Sequence, residues 1–310
     1  MRVIGPQKLR SVPGPPPALQ RRLEFAHPLT VTIAGITMSM RFGDAAVRER
    51  FAHRYRHHID NGNASIAFAC GADGDNYYFW SEFAAWCWSE GPLPDEGVVL
   101  LADAAAMSAL VRSDPGLISF HAAAVARGSA VAAIVGDSHA GKTTTALACV
   151  RRGMQVYSDE RLLVRGETQV LPFLRAFNVR PHGASLLDRD GIDDSFATQL
   201  ASRDGHGEWT DVSPFDFMQH LRIPAPGQLH AIFFLDGKAE RVELRETAAV
   251  RCCPRLLESI DCSSLERFSR AARAIALLRG VRTYSLTLGP PNASAMAIEA
   301  VLRELSTDAA

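Results

Sequence analysis

The sequence predicts a mixed α/β protein in two parts: a small α+β domain over residues 28–112, and a larger α/β domain over 113–308 built round a phosphate-holding loop. Three observations carry that prediction. Before residue 112 the apolar residues fall in short alternating or helically spaced runs, whereas after it they form runs that are apolar throughout, as in SAVAAIV (129–135). Between the two styles lies RSDPG (112–116), a turn-rich joint. Then VGDSHAGKTTT (135–145) reads G-x-x-x-x-G-K-T from Gly136 to Thr143, between a predicted strand and a predicted helix.

Taken in order, residues 1–27 are crowded with proline and hold no sustained period, so they read as a flexible lead-in. LTVTIAGITMSMRF (29–42) alternates like strand with a glycine-containing interruption, and DAAVRERFAHRYRHHI (44–59) takes helical spacing. ASIAFAC and NYYFWSEF read as strands, and VVLLAD opens an alanine-rich helix through Leu110. In the second part SAVAAIV is a strand, KTTTALACVRRG a helix stopped by Gly153, and MQVYSDERLLVRG a further strand. LHAIFFLDG (229–237) is a strand, and SSLERFSRAARAIALLRG is a helix capped by Ser263 and Glu266. VRTYSLTLG and ASAMAIEAVLREL end the chain as strand and helix.

A chain of 310 residues, 47% of them hydrophobic, can bury two cores. A formal net charge of −1 gives no bulk attraction to nucleic acid or to an anionic membrane, so neither is an expected partner. The basic stretch at Arg48, Arg50, Arg54 and Arg56 reads as a solvated helix face. Six cysteines without a C-x-x-C pair, and no apolar segment long enough to cross a bilayer, read as reduced thiols in a cytoplasmic protein. An oligomer is compatible with this composition and not required by it.

The loop's chemistry follows from its backbone. Gly136, Asp137, Ser138, His139, Ala140 and Gly141 would turn their N–H groups, with the start of the next helix, toward phosphate oxygens. Lys142 would reach the β and γ phosphates, Thr143 would set its hydroxyl on Mg²⁺, and Thr144 would lie beside them. His139 stands where a small residue is usual. Asp159 and Glu160, adjacent carboxylates 17 and 18 positions beyond Lys142, are costly to bury for packing alone. At a strand end near the γ phosphate, one would bind Mg²⁺ and the other face an incoming hydroxyl. His121 precedes Gly136 by fifteen positions, and Arg175 and Arg180 are candidates to neutralise charge in a phosphoryl transfer. The polar run 188–214 is long for a connection and reads as a substrate loop or an insertion.

Taken together, His121, the loop Gly136–Thr143, Arg152-Gly153 and Asp159-Glu160 resemble the bacterial HPr kinase/phosphorylase family and its shorter relatives, tightly over about residues 118–165. The resemblance implies a P-loop (Walker A) kinase domain similar to the fold of HPr kinase and phosphoenolpyruvate carboxykinase. It implies ATP and Mg²⁺ as cofactors, Asp159 as the carboxylate that takes the acceptor's proton, Thr143 and Glu160 as Mg²⁺ ligands, and His121 beside the phosphate. The chain departs from the regulatory enzymes at Thr144, where they carry an acidic residue, and at Glu160, where they carry a second aspartate. The expectation is therefore a kinase that transfers the γ phosphoryl to a serine-type hydroxyl of a peptide or protein, such as a natural-product precursor peptide; the departures speak against HPr as that substrate. Two alternatives stand beside it: a kinase of free serine or another small alcohol, and a non-catalytic module that responds to nucleotide.

Overall fold

The computed structural model describes residues 8–24, 26–179, 183, 185–187, 210–212, 222–260 and 267–308. Arg180, most of the polar run 188–214 and the cap at Ser263 and Glu266 lie outside the described residues. The chain divides into two compact units, Met1–Pro115 and Gly116–Ala310.

In the first unit six strands form one sheet in the order β1 (Arg10–Val12), β6 (Ala85–Trp88), β5 (Asn76–Ser81), β4 (Ile66–Asp73), β3 (Ile36–Phe42) and β2 (His27–Ile33). All neighbours are antiparallel except β3 and β4. Helices α1 (Pro17–Leu23), α2 (Ala45–Arg54) and α3 (Asp95–Ser113) pack on it. Asp44 starts α2 by accepting hydrogen bonds from the N–H groups of Ala46 and Val47, at 2.7 and 3.1 Å. Phe42, Phe51, Phe68 and Phe79 fill the core. The expected lead-in is thus partly built: β1 joins the sheet edge, and α1 buries Leu19 and Leu23.

The second unit is a three-layer α/β/α arrangement around a nine-stranded mixed sheet. Its main path runs β10 (Gln155–Ser158), β8 (Ala122–Arg127), β9 (Ala130–Val135), β15 (Gly227–Lys238), β12 (Gln169–Leu171), β11 (Leu162–Arg165) and β7 (Leu117–Phe120). Strand β17 (Arg282–Leu288) also pairs with β15, and β16 (Glu243–Glu246) pairs with β17. Strands β9, β15 and β17 are mutually parallel, so their carboxyl ends emerge together. Separately, β13 (Phe177–Val179) pairs with β14 (Thr210–Val212).

Every residue of β9 is buried, as its unbroken apolar run predicts. Ala130, Ala132 and Ile134 face α4 (Lys142–Arg151) and α7 (Pro291–Asp308); Val131, Ala133 and Val135 face α5 (Ala249–Ser259) and α6 (Arg267–Arg279). The predicted strand MQVYSDERLLVRG is two strands, β10 and β11, with Asp159 and Glu160 in the bend between them. Among the described residues, no helix is long and apolar enough to cross a membrane.

Candidate active site

The loop joining β9 to α4 stands at the carboxyl end of the parallel strands, where open α/β sheets place their ligands. Two residues give it its shape. Gly141 has φ +111°, and a Cβ there would come within 2.8 Å of Leu288 Cδ1, so the position needs glycine twice over. His139 has φ +69°, a left-handed backbone that few side chains tolerate but histidine adopts more readily than most. The oddity at 139 is therefore conformational: the loop turns left-handed there, and an imidazole rides on the turn.

Helix α4 begins at Lys142 with no side-chain cap, which leaves the N–H groups of its first turn available to a ligand. Lys142 is buried, and its ammonium donates to the carbonyls of Gly136 and Asp137 at 2.7 and 2.9 Å. Burial pulls its pKa below the ordinary value, against the opposing pull of Asp159, Glu160 and Asp137.

Strand pairing brings the remaining groups alongside. Ala122 opposes Val135 between β8 and β9, so the next residues, His121 and Gly136, lie side by side. Ser158, the last residue of β10, pairs with Ala124 of β8, which delivers Asp159 and Glu160 to the same end of the sheet. Thr143 Oγ1 then donates to Asp159 Oδ2 at 3.1 Å, joining the loop's helix to the acidic pair. Asp159 is 6% exposed, and its buried Oδ1 has no hydrogen-bond partner among the described residues. Burial, and next the charge of Glu160, push its carboxyl up to about 7; the Thr143 hydrogen bond, Arg175 and Lys142 pull the other way.

Glu160 is held by Arg175, whose guanidinium lies 2.8 Å from Oε2 and stacks 5.1 Å from the ring of Phe173. Arg175, a candidate to neutralise charge on a transferred phosphoryl group, is buried and donates to Glu160. His121 is exposed to the cleft, and its backbone N–H donates to Ser259 O at 2.6 Å. Desolvation, and next the nearby Lys142, lower its pKa, so its neutral form is favoured.

These groups bound a cleft of ≈ 760 Å³. Ser138, His139, Gly141, Lys142, Thr143 and Thr144 form one wall, with His121 and Glu160 beside them. Within the same loop, Ala140 N–H donates to Asp137 O at 3.2 Å. The rest of the lining has no signal in the sequence motif: it includes Lys238, Ala239 and Glu240, and Leu288 to Pro291 at the start of α7. Of the expected residues, Arg180 lies outside the described ones. Among the described residues, no group of three or more His, Cys, Asp and Glu side chains is gathered as a metal site. A hard cation here would depend on the Thr143 hydroxyl, the carboxylates and oxygens brought by a ligand.

Fold and cleft together define an α/β protein whose sheet end presents a left-handed, lysine-bearing loop to an acidic pair. No family model matches the chain, and no curated protein matches it. Among solved structures, the HPr(Ser) kinase/phosphatase of Coxiella burnetii is similar at 15% identity and a TM-score of 0.32, over 61% of this chain and 91% of that one. A likeness at that level carries neither fold nor activity across, so the functional reading rests on the geometry.

Proposed function

We propose that the chain is an ATP- and Mg²⁺-dependent kinase that transfers the γ phosphoryl of ATP to a serine-type hydroxyl of a peptide or protein. The observation that carries the reading is the Thr143–Asp159 hydrogen bond, because it ties a phosphate-type loop directly to a buried carboxylate whose second oxygen has no partner among the described residues. A loop that only held a nucleotide would have little need of that second part.

In this reading the β and γ phosphates lie against the N–H groups of the loop and of α4's first turn, with Lys142 leaving its carbonyl partners for phosphate oxygens. Thr143 and Glu160, both on the cleft wall, supply oxygen ligands of the kind Mg²⁺ prefers, and the unpartnered oxygen of Asp159 fits a site that awaits a proton or a cation. Bound there, Mg²⁺ would neutralise charge on the phosphate oxygens. The acceptor oxygen forms a bond to the γ phosphorus as the bond to the β-phosphate oxygen breaks, ADP leaves, and the hydroxyl proton passes to Asp159. Arg175 keeps Glu160 oriented through their hydrogen bond, and His121 stands beside the phosphates as a hydrogen-bonding group.

Calorimetry with Mg²⁺-ATP tests this directly. Lys142→Ala should weaken binding at least tenfold, Glu160→Gln should remove most of the Mg²⁺ dependence, and Asp159→Asn should bind but not transfer. Unchanged affinity in Lys142→Ala would remove the phosphate-loop reading. Consumption of ATP with free serine but with no peptide would move the acceptor to a small alcohol.

A further inference from the structure

We infer that Lys238 is a second cation for the nucleotide's phosphate chain, delivered to the cleft by a one-residue bulge in β15. The inference rests on the nucleotide reading above and extends it to a wall of the cleft that the loop motif does not include.

Register shows the device. Along the parallel pair, Leu235 stands opposite Leu286, yet Lys238 stands opposite Leu288, so β15 holds one more residue than β17 across this interval. Without that residue Leu288 would face Gly237, and Lys238 would point to the layer of α5 and α6, because a slip of one residue turns a side chain to the other face. With it, Lys238 turns to the face of Leu235 and Leu288, the one covered by α4 and α7. Gly237 absorbs the bend at φ +127°, where a larger residue would be strained.

The bulge is pinned from the opposite face. Asp236 hydrogen-bonds to both Arg255 and Ser285, while Arg255 also donates to Leu235 O at 2.7 Å and lies 5.2 Å from the ring of Phe234. A strand end stapled in this way holds one orientation. What it holds out is Lys238, whose Cε lies 3.8 Å from the position a Cβ would take on Gly141. Among the described residues the Lys238 ammonium makes one hydrogen bond, to His139 O at 3.4 Å, and no ion pair. Both lysines of the cleft thus rest on carbonyls of the same loop: Lys142 from beneath by short hydrogen bonds, and Lys238 from across by a long one. A charged donor exchanges such a weak neutral acceptor for a phosphate oxygen readily.

The test compares the whole protein with Lys238→Gln, Lys238→Arg, Arg255→Met and Lys142→Ala, using Mg²⁺-ATP and inorganic pyrophosphate as probes. Lys238→Gln should bind both about tenfold more weakly, as the loss of one charge-assisted hydrogen bond implies. Lys238→Arg should recover most of that loss, and Arg255→Met, which touches no ligand, should lose affinity through the bulge. Amine acylation read by mass spectrometry adds a measure that a purely structural lysine would not move: pyrophosphate should slow the labelling of Lys238. If Lys142→Ala weakens binding while Lys238→Gln binds as tightly as the parent and its labelling ignores pyrophosphate, Lys238 has no such role and the nucleotide reading stands. If the parent protein binds neither probe, both fall together.

Discussion

At the scale of single residues, His139 and Asp159 both hold states that the fold alone does not favour. His139 occupies left-handed backbone at φ +69°. Strain of this kind costs on the order of 1 kcal/mol in a non-glycine residue. His139→Gly should therefore raise the thermal midpoint by a few degrees, and a lowered midpoint would show that the imidazole contributes more than its backbone costs. Asp159 carries a carboxyl raised from 3.8 to about 7 by burial. A raised native pKa means that the folded state binds more protons than the unfolded one between those values. Stability of the metal-free protein should then fall as pH rises from about 4 to 7 and level off above, with a span of a few kcal/mol at most. Asp159→Asn should flatten this slope and gain most at pH 8; an unchanged slope in chemical denaturation would contradict the burial argument.

At the scale of elements, the Arg152-Gly153 pair that follows α4 has a physical role. Arg152 donates to Glu299 of α7 at 2.7 Å and to Asn292 Oδ1 at 3.0 Å, while Arg127 of β8 and Arg303 of α7 reach the same carboxylate at 3.4 and 2.6 Å. Glu299 is 4% exposed, and although burial pushes its carboxyl up, the hydrogen bonds from Arg152 and Arg303 outweigh it and hold it below the ordinary value. The group locks the far end of α4 to α7, and so steadies the two helices whose first turns border the cleft. Glu299→Gln leaves a cluster of guanidinium charges without a counter-charge and should cost about 3 kcal/mol. Its contribution is present above the ordinary glutamate pKa and is lost as pH falls below it, the opposite sign to Asp159.

What could be read in advance divides along the same line. The loop was legible because its spacing is local, and the acidic pair because two carboxylates stand out between apolar strands. Lys238 was not, since its direction depends on a register shift between strands that meet only in three dimensions. The Arg175–Glu160 pair was not legible either, because sequence position does not say which carboxylate a buried arginine meets. Helix α1 was hidden by its prolines; it is seven residues long, too short to declare itself by propensity, and is decided by the burial of Leu19 and Leu23.

At the scale of the whole molecule, every described residue of the cleft belongs to the unit Gly116–Ala310. That unit also contains both hydrophobic clusters packed on the nine-stranded sheet. Expressed alone, residues 116–310 should bind Mg²⁺-ATP within about threefold of the full chain, a difference of less than 1 kcal/mol. Loss of binding in a folded 116–310 fragment would show that the first unit takes part in the nucleotide site. Retained binding with lost transfer would instead assign the first unit to the acceptor.

Transfer of a phosphoryl group can be followed with labelled ATP. The full chain and Asp159→Asn are each incubated with cell extract, Mg²⁺ and γ-labelled ATP, and the labelled products are mapped by mass spectrometry. The parent chain should place label on a serine-type hydroxyl of a discrete peptide or protein, and Asp159→Asn should place none there although that variant still binds ATP. Equal labelling by the two, or no label from a parent chain that binds Mg²⁺-ATP, would contradict it.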